Sequence, residues 1–198
     1  VTSWASIDYY GRWKALQHYA RRAYSPVLIS PYMDGEKVSV KAISDKAEAF
    51  EGRMEAFIMD FGGDILWNET IGCRLQADES ADLMSVDAAL LDGNRLLYVR
   101  ILKDGVTVSE NTFYTRFPKE YEYGCPEISF EVQECTEGLE LTVSSDRLAR
   151  GLYLFSDNAD DFFEDNYMDL LPGFPRKITV RTGSTAEEFK TTLKYQTL

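Results

Sequence analysis

The residues in this sequence whose types best suit catalysis are Asn68 and Glu69, which follow Trp67 in the stretch ILWNETIGC. Retaining glycosidases use one carboxyl group as acid/base and a second, about 5 Å away, as nucleophile. Asn68 and Glu69 lie in the middle of a predicted strand, and a small sandwich offers no cleft wall for a second carboxylate. We therefore predict that Glu69 is an ordinary outward-facing residue, and we assign no catalytic residue to this chain.

Oxygen ligands are concentrated in the acidic stretch from Asp157 to Asn166. An EF-hand loop needs ligands at positions 1, 3 and 5, glycine at position 6 and glutamate at position 12. Counted from Asp157, Ala159 takes position 3 and Phe162 takes position 6, so the motif fails. We predict a solvated, turn-forming loop and no metal, with an irregular calcium site as the alternative.

The single histidine, His18, has Lys14 and Arg22 one helical turn away on either side. No motif places a nucleophilic serine or cysteine beside it, so we predict a surface or interface histidine. The Gly62-Gly63 pair indicates a hairpin turn rather than a phosphate-binding loop. No cofactor is expected.

Three cysteines are present: Cys73, Cys125 and Cys135. An odd number without paired spacing, together with one histidine, argues against a zinc site. We expect buried thiols, with a disulfide between Cys125 and Cys135 as the alternative.

Composition excludes several classes of protein. The 198 residues carry a net charge of −12, which argues against nucleic acid as a partner. No apolar run approaches the ~18–20 residues of a membrane span, and the first residues do not follow signal-peptide order. Residues 1–26 hold four basic residues and one acidic residue, so they differ in charge from everything that follows.

The opening segment is predicted to be helical. Ser6 suits a helix N-cap, and Pro26 would end the helix. Tyr10, Trp13 and Leu16 recur at three-residue spacing and predict one apolar stripe. Such a stripe is stable only against a partner surface.

From Val27 onward the pattern is that of short strands separated by turns. Seven runs indicate a first sandwich, residues 27–118: VLISPY, KVSVKAIS, GRMEAFIMDF, ILWNETIGCRLQ, MSVDAALL, RLLYVRILKDG and VTVSENTFYT. Six indicate a second, residues 119–198: EISFEVQEC, GLELTVSS, ARGLYLFSD, NYMDLLPG, RKITVRT and TTLKYQTL. We therefore predict a mainly β fold with two immunoglobulin-like sandwiches in tandem.

Three stretches carry a resemblance to a known family. The long run SWASIDYYGRWKALQHYARRAYSPVLIS resembles the end of the catalytic barrel in β-mannosidases of glycoside hydrolase family 2. ENTFY (110–114), followed by Pro118-Lys119, is similar to the family's exit from its first sandwich. DNYMDLLPG (165–173) is similar to a motif in the family's terminal domain.

The resemblance implies the C-terminal piece of an enzyme. Residues 1–26 would be the last helix of a (β/α)8 barrel, and both catalytic glutamates would precede Val1, which itself is not a methionine. The parent enzyme would remove terminal non-reducing β-D-mannose residues from β-mannosides by a retaining mechanism. We expect this fragment to be inactive alone.

The resemblance also implies a role for the opening residues. Tyr10, Trp13 and Leu16 would contact the catalytic barrel in cis, with the sandwiches as scaffold. Trp4 would either stand near substrate or, as we favour, pack beneath a loop. Association between copies through the exposed helix is an alternative. Related degradative enzymes favour a bacterial periplasmic or secreted location, and no membrane or nucleic-acid partner is expected.

Two other classes of protein remain open from sequence. A carbohydrate-binding module would need outward-pointing aromatic rings, for which Trp67, Tyr121 and Tyr123 are the candidates. A stand-alone structural immunoglobulin-like protein would have a reading frame that begins near Val1.

Overall fold

Two antiparallel β-sandwiches make up most of the chain, as predicted, in a computed structural model that describes residues 4–198. Contacts divide the chain into two compact units. One is Arg21–Glu122, and the other combines the residues up to Ala20 with Tyr123–Leu198. The opening segment therefore belongs with the C-terminal sandwich by its contacts. Its assignment to a barrel, and the boundaries after residues 26 and 118, stay predictions.

The unit Arg21–Glu122 is a seven-stranded sandwich. Its strands are β1 (Val27–Asp34), β2 (Lys37–Ser44), β3 (Phe50–Asp60), β4 (Ile65–Leu75), β5 (Ser80–Asp87), β6 (Arg95–Lys103) and β7 (Val106–Phe113). Sheet β1-β2-β5 faces sheet β4-β3-β6-β7 across a core of aliphatic side chains. The predicted alternation is confirmed in β2, where Val38, Val40 and Ala42 are fully buried.

One predicted strand of this sandwich is too long. MSVDAALL reads as a single strand, but β5 ends at Asp87 and a 3-10 helix spans Ala88–Leu91. The Asp87 carboxylate accepts a hydrogen bond from the Ala89 backbone N–H at 2.9 Å. This cap offers the backbone an alternative to the sheet ladder, so pairing stops there.

The second sandwich also has seven strands. They are β8 (Ile128–Cys135), β9 (Gly138–Ser145), β10 (Ala149–Phe155), β11 (Phe162–Phe163), β12 (Met168–Leu170), β13 (Arg176–Arg181) and β14 (Lys194–Gln196). Their orders are β12-β10-β14 and β11-β13-β9-β8, around a separate core. Gly138 begins β9 with φ +131°, and a Cβ there would meet the Val180 carbonyl oxygen at 2.4 Å. Only glycine suits that position.

The last predicted strand is wrong at its first two residues. TTLKYQTL was expected to be extended, but helix α2 (Ala186–Thr192) includes its first two residues. Thr185 and Glu188 form a reciprocal capping box at the start of this helix, and Phe189 is fully buried. The spacing Thr-x-x-Glu is a recognised helix-start signal, so sequence contained the information.

The opening helix is shorter than predicted. Helix α1 spans Ala15–Ala23, and the residues before it form a turn closed by a bridge between Ile7 and Trp13. The Asp8 carboxylate accepts hydrogen bonds from the backbone N–H groups of Tyr10 at 2.8 Å and Arg12 at 2.9 Å. Gly11 takes φ +82°. An aspartate that holds the backbone in a turn, followed by a left-handed glycine, competes successfully with a helix. None of the helices in residues 4–198 is long and apolar enough to cross a membrane.

Candidate functional site

The residues considered from sequence for catalysis and metal binding lie on β4 and in the segment that follows β10. Asn68 and Glu69 are both exposed on β4, as an outward-facing glutamate requires. Within residues 4–198 no group of three or more His, Cys, Asp or Glu side chains could hold a metal ion. In the acidic stretch, the Asp157 carboxylate instead pairs with the Lys194 ammonium group.

The cysteines have two different environments. Cys73 is buried in the first sandwich, and burial raises the pKa of its thiol. Cys125 and Cys135 are free and exposed, so the expectation of buried thiols is wrong for these two. The reason is position, because Cys125 lies in a connecting loop and Cys135 ends the edge strand β8.

The structure forms one cleft that the sequence did not predict. It has a volume of about 500 Å³ and lies between the turn at residues 10–13 and the segment 153–167 of the C-terminal sandwich. This size is in the range of small-molecule sites. Its lining comprises Tyr10, Gly11, Arg12, Trp13, His18, Tyr153, Leu154, Phe155, Ser156, Asn158, Ala159, Asp160, Asp161, Phe162, Phe163, Asn166 and Tyr167. We call it the aromatic cleft.

A continuous row of rings lines this cleft. Tyr153 stacks on Tyr167 with ring centroids 4.6 Å apart and on Phe155 at 5.1 Å. On the other side of the row, Trp13 meets the buried His18 at 5.2 Å and meets Phe162 edge-to-face, also at 5.2 Å. His18 and Tyr167 join the two parts at 5.8 Å.

Oxygen and nitrogen groups also line the aromatic cleft. The Asp161 carboxylate accepts hydrogen bonds from the Ser156 hydroxyl at 2.6 Å and the Asn158 amide at 2.8 Å. The Asp160 carboxylate is almost fully exposed and lies 3.9 Å from the Arg12 guanidinium. Two carboxylates thus line the same cleft as the aromatic row, and Asp161 is held in one orientation.

Asn166 fixes the segment that carries this arrangement. Its side-chain oxygen accepts hydrogen bonds from the backbone N–H groups of Leu154 at 2.8 Å and Tyr167 at 3.0 Å. Its amide nitrogen donates to the Leu154 carbonyl oxygen at 2.7 Å. Asn166 is nearly inaccessible to solvent, so these contacts take the place of a strand ladder beside β10. The DNYMDLLPG motif therefore shapes the cleft.

The ionisation of Tyr167 in this cleft is perturbed. Burial, and then the neighbouring Tyr153, raise the pKa of Tyr167 to about 12. Its backbone is left-handed, with φ +51°, which is uncommon for an aromatic residue. The stacked ring of Tyr153 and the Asn166 contact hold it in this conformation.

The Tyr167→Phe variant is expected to change how stability depends on alkaline pH. Because the pKa of Tyr167 is higher in the folded state than its ordinary value of about 10, the unfolded chain loses this proton first. The stability that this difference contributes is complete below about pH 10 and is lost as pH rises towards 12. Urea unfolding from about pH 9.5 to 11.5 should show a steeper loss in the native chain than in Tyr167→Phe. Parallel pH profiles would contradict the assignment.

The predicted barrel-contact residues are not all in one environment. Tyr10 and Leu16 are exposed, at 75% and 59%. Trp13 is half-buried and contacts Phe162 and His18 of its own unit. Trp4 is fully exposed. Their contact with a barrel stays a prediction, but Trp13 also has a role within this chain.

The three rings named as candidates for a carbohydrate-binding module do not form an outward platform. Trp67 is half-buried against the core of the first sandwich. Tyr121 is buried beside Phe61, and Tyr123 lies against the Arg150 guanidinium. The aromatic cleft was missed because its rings come from segments about 140 residues apart, which no local pattern joins.

Comparison with known proteins places each sandwich in a described family. Residues 36–120 match the Mannosidase Ig/CBM-like domain, and residues 125–198 match the mannosidase Ig-fold domain.

The relatives that match most of this chain include β-mannosidases and an exo-chitosanase. The chain is 25% identical to β-mannosidase A of Aspergillus fumigatus over 99% of its own length and 24% of that protein. It is 29% identical to β-mannosidase A of Aspergillus terreus, over 89% and 21%. The fold matches a β-D-mannosidase from Dictyoglomus thermophilum with TM-score 0.91, at 24% identity and covering 100% of this chain and 24% of that one. An exo-chitosanase from Amycolatopsis orientalis matches with TM-score 0.68, at 16% identity, over 98% and 28%. The chain thus spans about a quarter of the length of these relatives.

Proposed function

We propose that this chain is the C-terminal, immunoglobulin-like region of a glycoside hydrolase family 2 β-mannosidase and acts as a non-catalytic scaffold for the catalytic barrel of that enzyme, which the family-model matches and the β-mannosidase relatives support. The enzyme as a whole would hydrolyse terminal non-reducing β-D-mannose residues by a retaining mechanism. Both catalytic glutamates would lie on the barrel.

The exposure of large hydrophobic side chains near the start of the chain carries this proposal. Among residues 4–20, six large hydrophobic side chains are exposed, at 40–101%; they are Trp4, Ile7, Tyr9, Tyr10, Leu16 and Tyr19. We call them the N-terminal surface. Exposed hydrophobic residues scattered singly are normal, but a contiguous apolar patch indicates an interaction site. The family resemblance supplies the partner, because this segment resembles the end of the catalytic barrel.

The chemistry of glycoside hydrolysis supports a non-catalytic role. A retaining mechanism needs two carboxyl groups about 5 Å apart, on either side of the bond to be broken. Asp160 and Asp161 lie in the aromatic cleft, but the Asp161 carboxylate already accepts hydrogen bonds from Ser156 and Asn158. We therefore expect no release of nitrophenol from 4-nitrophenyl β-D-mannoside by this chain, and clear turnover would contradict the proposal.

Scaffolding is tested by Leu16→Ser, made in this chain and in the enzyme that carries the barrel. In this chain Leu16 is 59% exposed, so the free energy of unfolding should change by less than about 0.5 kcal/mol. In the complete enzyme the leucine would be buried, and the loss should be about 1.5–3 kcal/mol.

Leu90→Ser is the matched control. Leu90 is similarly exposed, at 44%, but lies on the 3-10 helix of the other unit. It should have little effect in either protein. Equal effects of Leu16→Ser in both proteins would overturn the proposal. Association between copies through the N-terminal surface is the alternative, and sedimentation would show it as a dimer that Leu16→Ser weakens.

A further inference from the structure

We propose that the aromatic cleft is a binding site for a neutral pyranoside, formed wholly within the C-terminal unit. The site is separate from the N-terminal surface, although Tyr10 borders both. The choice of a mannoside as the sugar rests on the proposed function, whereas the ligand class rests on the side chains of the cleft.

The ring row matches the apolar part of such a ligand. A pyranose ring presents a face of C–H bonds and a rim of hydroxyl groups. Trp13, Phe162 and Tyr167 are all half-buried and line the cleft, and the ring surface that their neighbours leave uncovered would contact the C–H face. Aromatic side chains provide large contact areas with little conformational entropy to lose.

Asp161 matches the hydroxyl rim. An ionised carboxylate has about four lone-pair sites and no donor. The Ser156 hydroxyl and the Asn158 amide each take one of these sites, on different oxygens. Each oxygen therefore keeps an acceptor position for a ligand hydroxyl. Hydrogen bonds to charged groups are stronger than neutral ones, so such contacts favour a polyol over a plain hydrocarbon.

Charge selects among polar ligands. The cleft is lined by the carboxylates of Asp160 and Asp161 and by the Arg12 guanidinium, which lies 3.9 Å from Asp160. A phosphate or carboxylate ligand would be repelled by the acidic pair. A neutral sugar can donate its hydroxyl protons to the carboxylates and accept from the guanidinium.

The cleft is also preorganised. Asn166 ties its segment to Leu154 of β10 through two buried hydrogen bonds, and the Asp161 carboxylate is oriented before a ligand arrives. A site that is already ordered loses less conformational entropy on binding.

Trp13 provides a direct test. The chain has three tryptophans, of which Trp13 lines the cleft, while Trp67 packs in the other unit and Trp4 is fully exposed. We expect titration of the 198-residue chain with 1,4-β-D-mannobiose to shift the indole N–H resonance of Trp13 in a saturable way. The Trp4 and Trp67 resonances should not move.

Two Asp→Asn substitutions distinguish an effect within the cleft from an effect elsewhere on the same loop. Asp161→Asn should weaken mannobiose binding about tenfold, because it removes a charged acceptor. Asp157→Asn lies on the same loop but outside the cleft lining, and should bind as the native chain does. Both variants are checked for an unchanged midpoint of thermal unfolding. Should Asp161→Asn unfold early, Asp160→Asn at the exposed mouth provides the same comparison.

Each outcome of these experiments either supports the proposed site or overturns it. A saturable Trp13 shift that Asp161→Asn weakens and Asp157→Asn preserves supports the site. No shift at millimolar mannobiose, a shift of all three indoles together, or equal binding by both variants overturns it. Binding of glucosamine in place of mannobiose would contradict the inference that the ligand is a neutral sugar. Hydrolysis of mannobiose would appear in the same spectra as new anomeric signals, and would count against the proposed function rather than against this site.

Discussion

Replacing Glu55 with alanine is expected to lower the free energy of unfolding by about 3–5 kcal/mol. Glu55 lies on β3 and is only 9% exposed. Its carboxylate accepts hydrogen bonds from the Arg100 guanidinium of β6 at 2.7 and 2.8 Å, and Arg53 lies 3.1 Å away. Removing the carboxylate leaves positive charge half-buried on this sheet face. The free energy lost when a charge loses its partner is several times larger at a buried position than at an exposed one.

The same sheet supplies the control. Glu51 pairs with Arg74 at 3.2 Å, but both side chains are more than 70% exposed. Glu51→Ala should therefore cost no more than about 1 kcal/mol. Urea unfolding of both variants measures the difference. Similar losses for Glu51→Ala and Glu55→Ala would show that burial does not determine the strength of these pairs.

Asn166→Ala is expected to cost about 3–5 kcal/mol, because it leaves buried backbone groups without their hydrogen-bond partner. The affected groups are the N–H and C=O of Leu154 and the N–H of Tyr167. Asn166→Asp should be no better, since it sets a carboxylate oxygen against the Leu154 carbonyl oxygen. Asn68→Ala, at an exposed position of β4, should change stability by less than about 0.5 kcal/mol.

Hydrogen exchange adds a local measurement to this prediction. The Leu154 amide proton is held by Asn166 in the native chain and should exchange faster in Asn166→Ala than the global loss of stability explains. A loss of stability below about 1 kcal/mol, with unchanged exchange at Leu154, would contradict the role assigned to Asn166.

Much of the fold was accessible from sequence because strand periodicity is local. The run KVSVKAIS predicts β2 to the residue, and the turn signals between runs separate the strands of both sandwiches. Errors arose where a polar side chain competes with regular structure. Asp8 turns the chain before α1, Asp87 ends β5, and Thr185 with Glu188 starts α2. Each is a local hydrogen bond whose outcome depends on a small balance of free energies.

The sequence by itself determined two mainly β domains and, through the long run before Val27, their relation to β-mannosidases. It also indicated that Tyr10, Trp13 and Leu16 need a partner surface, because so many large apolar side chains cannot all face water. Only the tertiary structure decided that these three residues separate. The Asp8 turn directs Trp13 towards Phe162 and His18, while Tyr10 and Leu16 stay exposed. A cleft built from segments distant in the chain depends on how their side chains pack, and local sequence patterns do not report long-range packing.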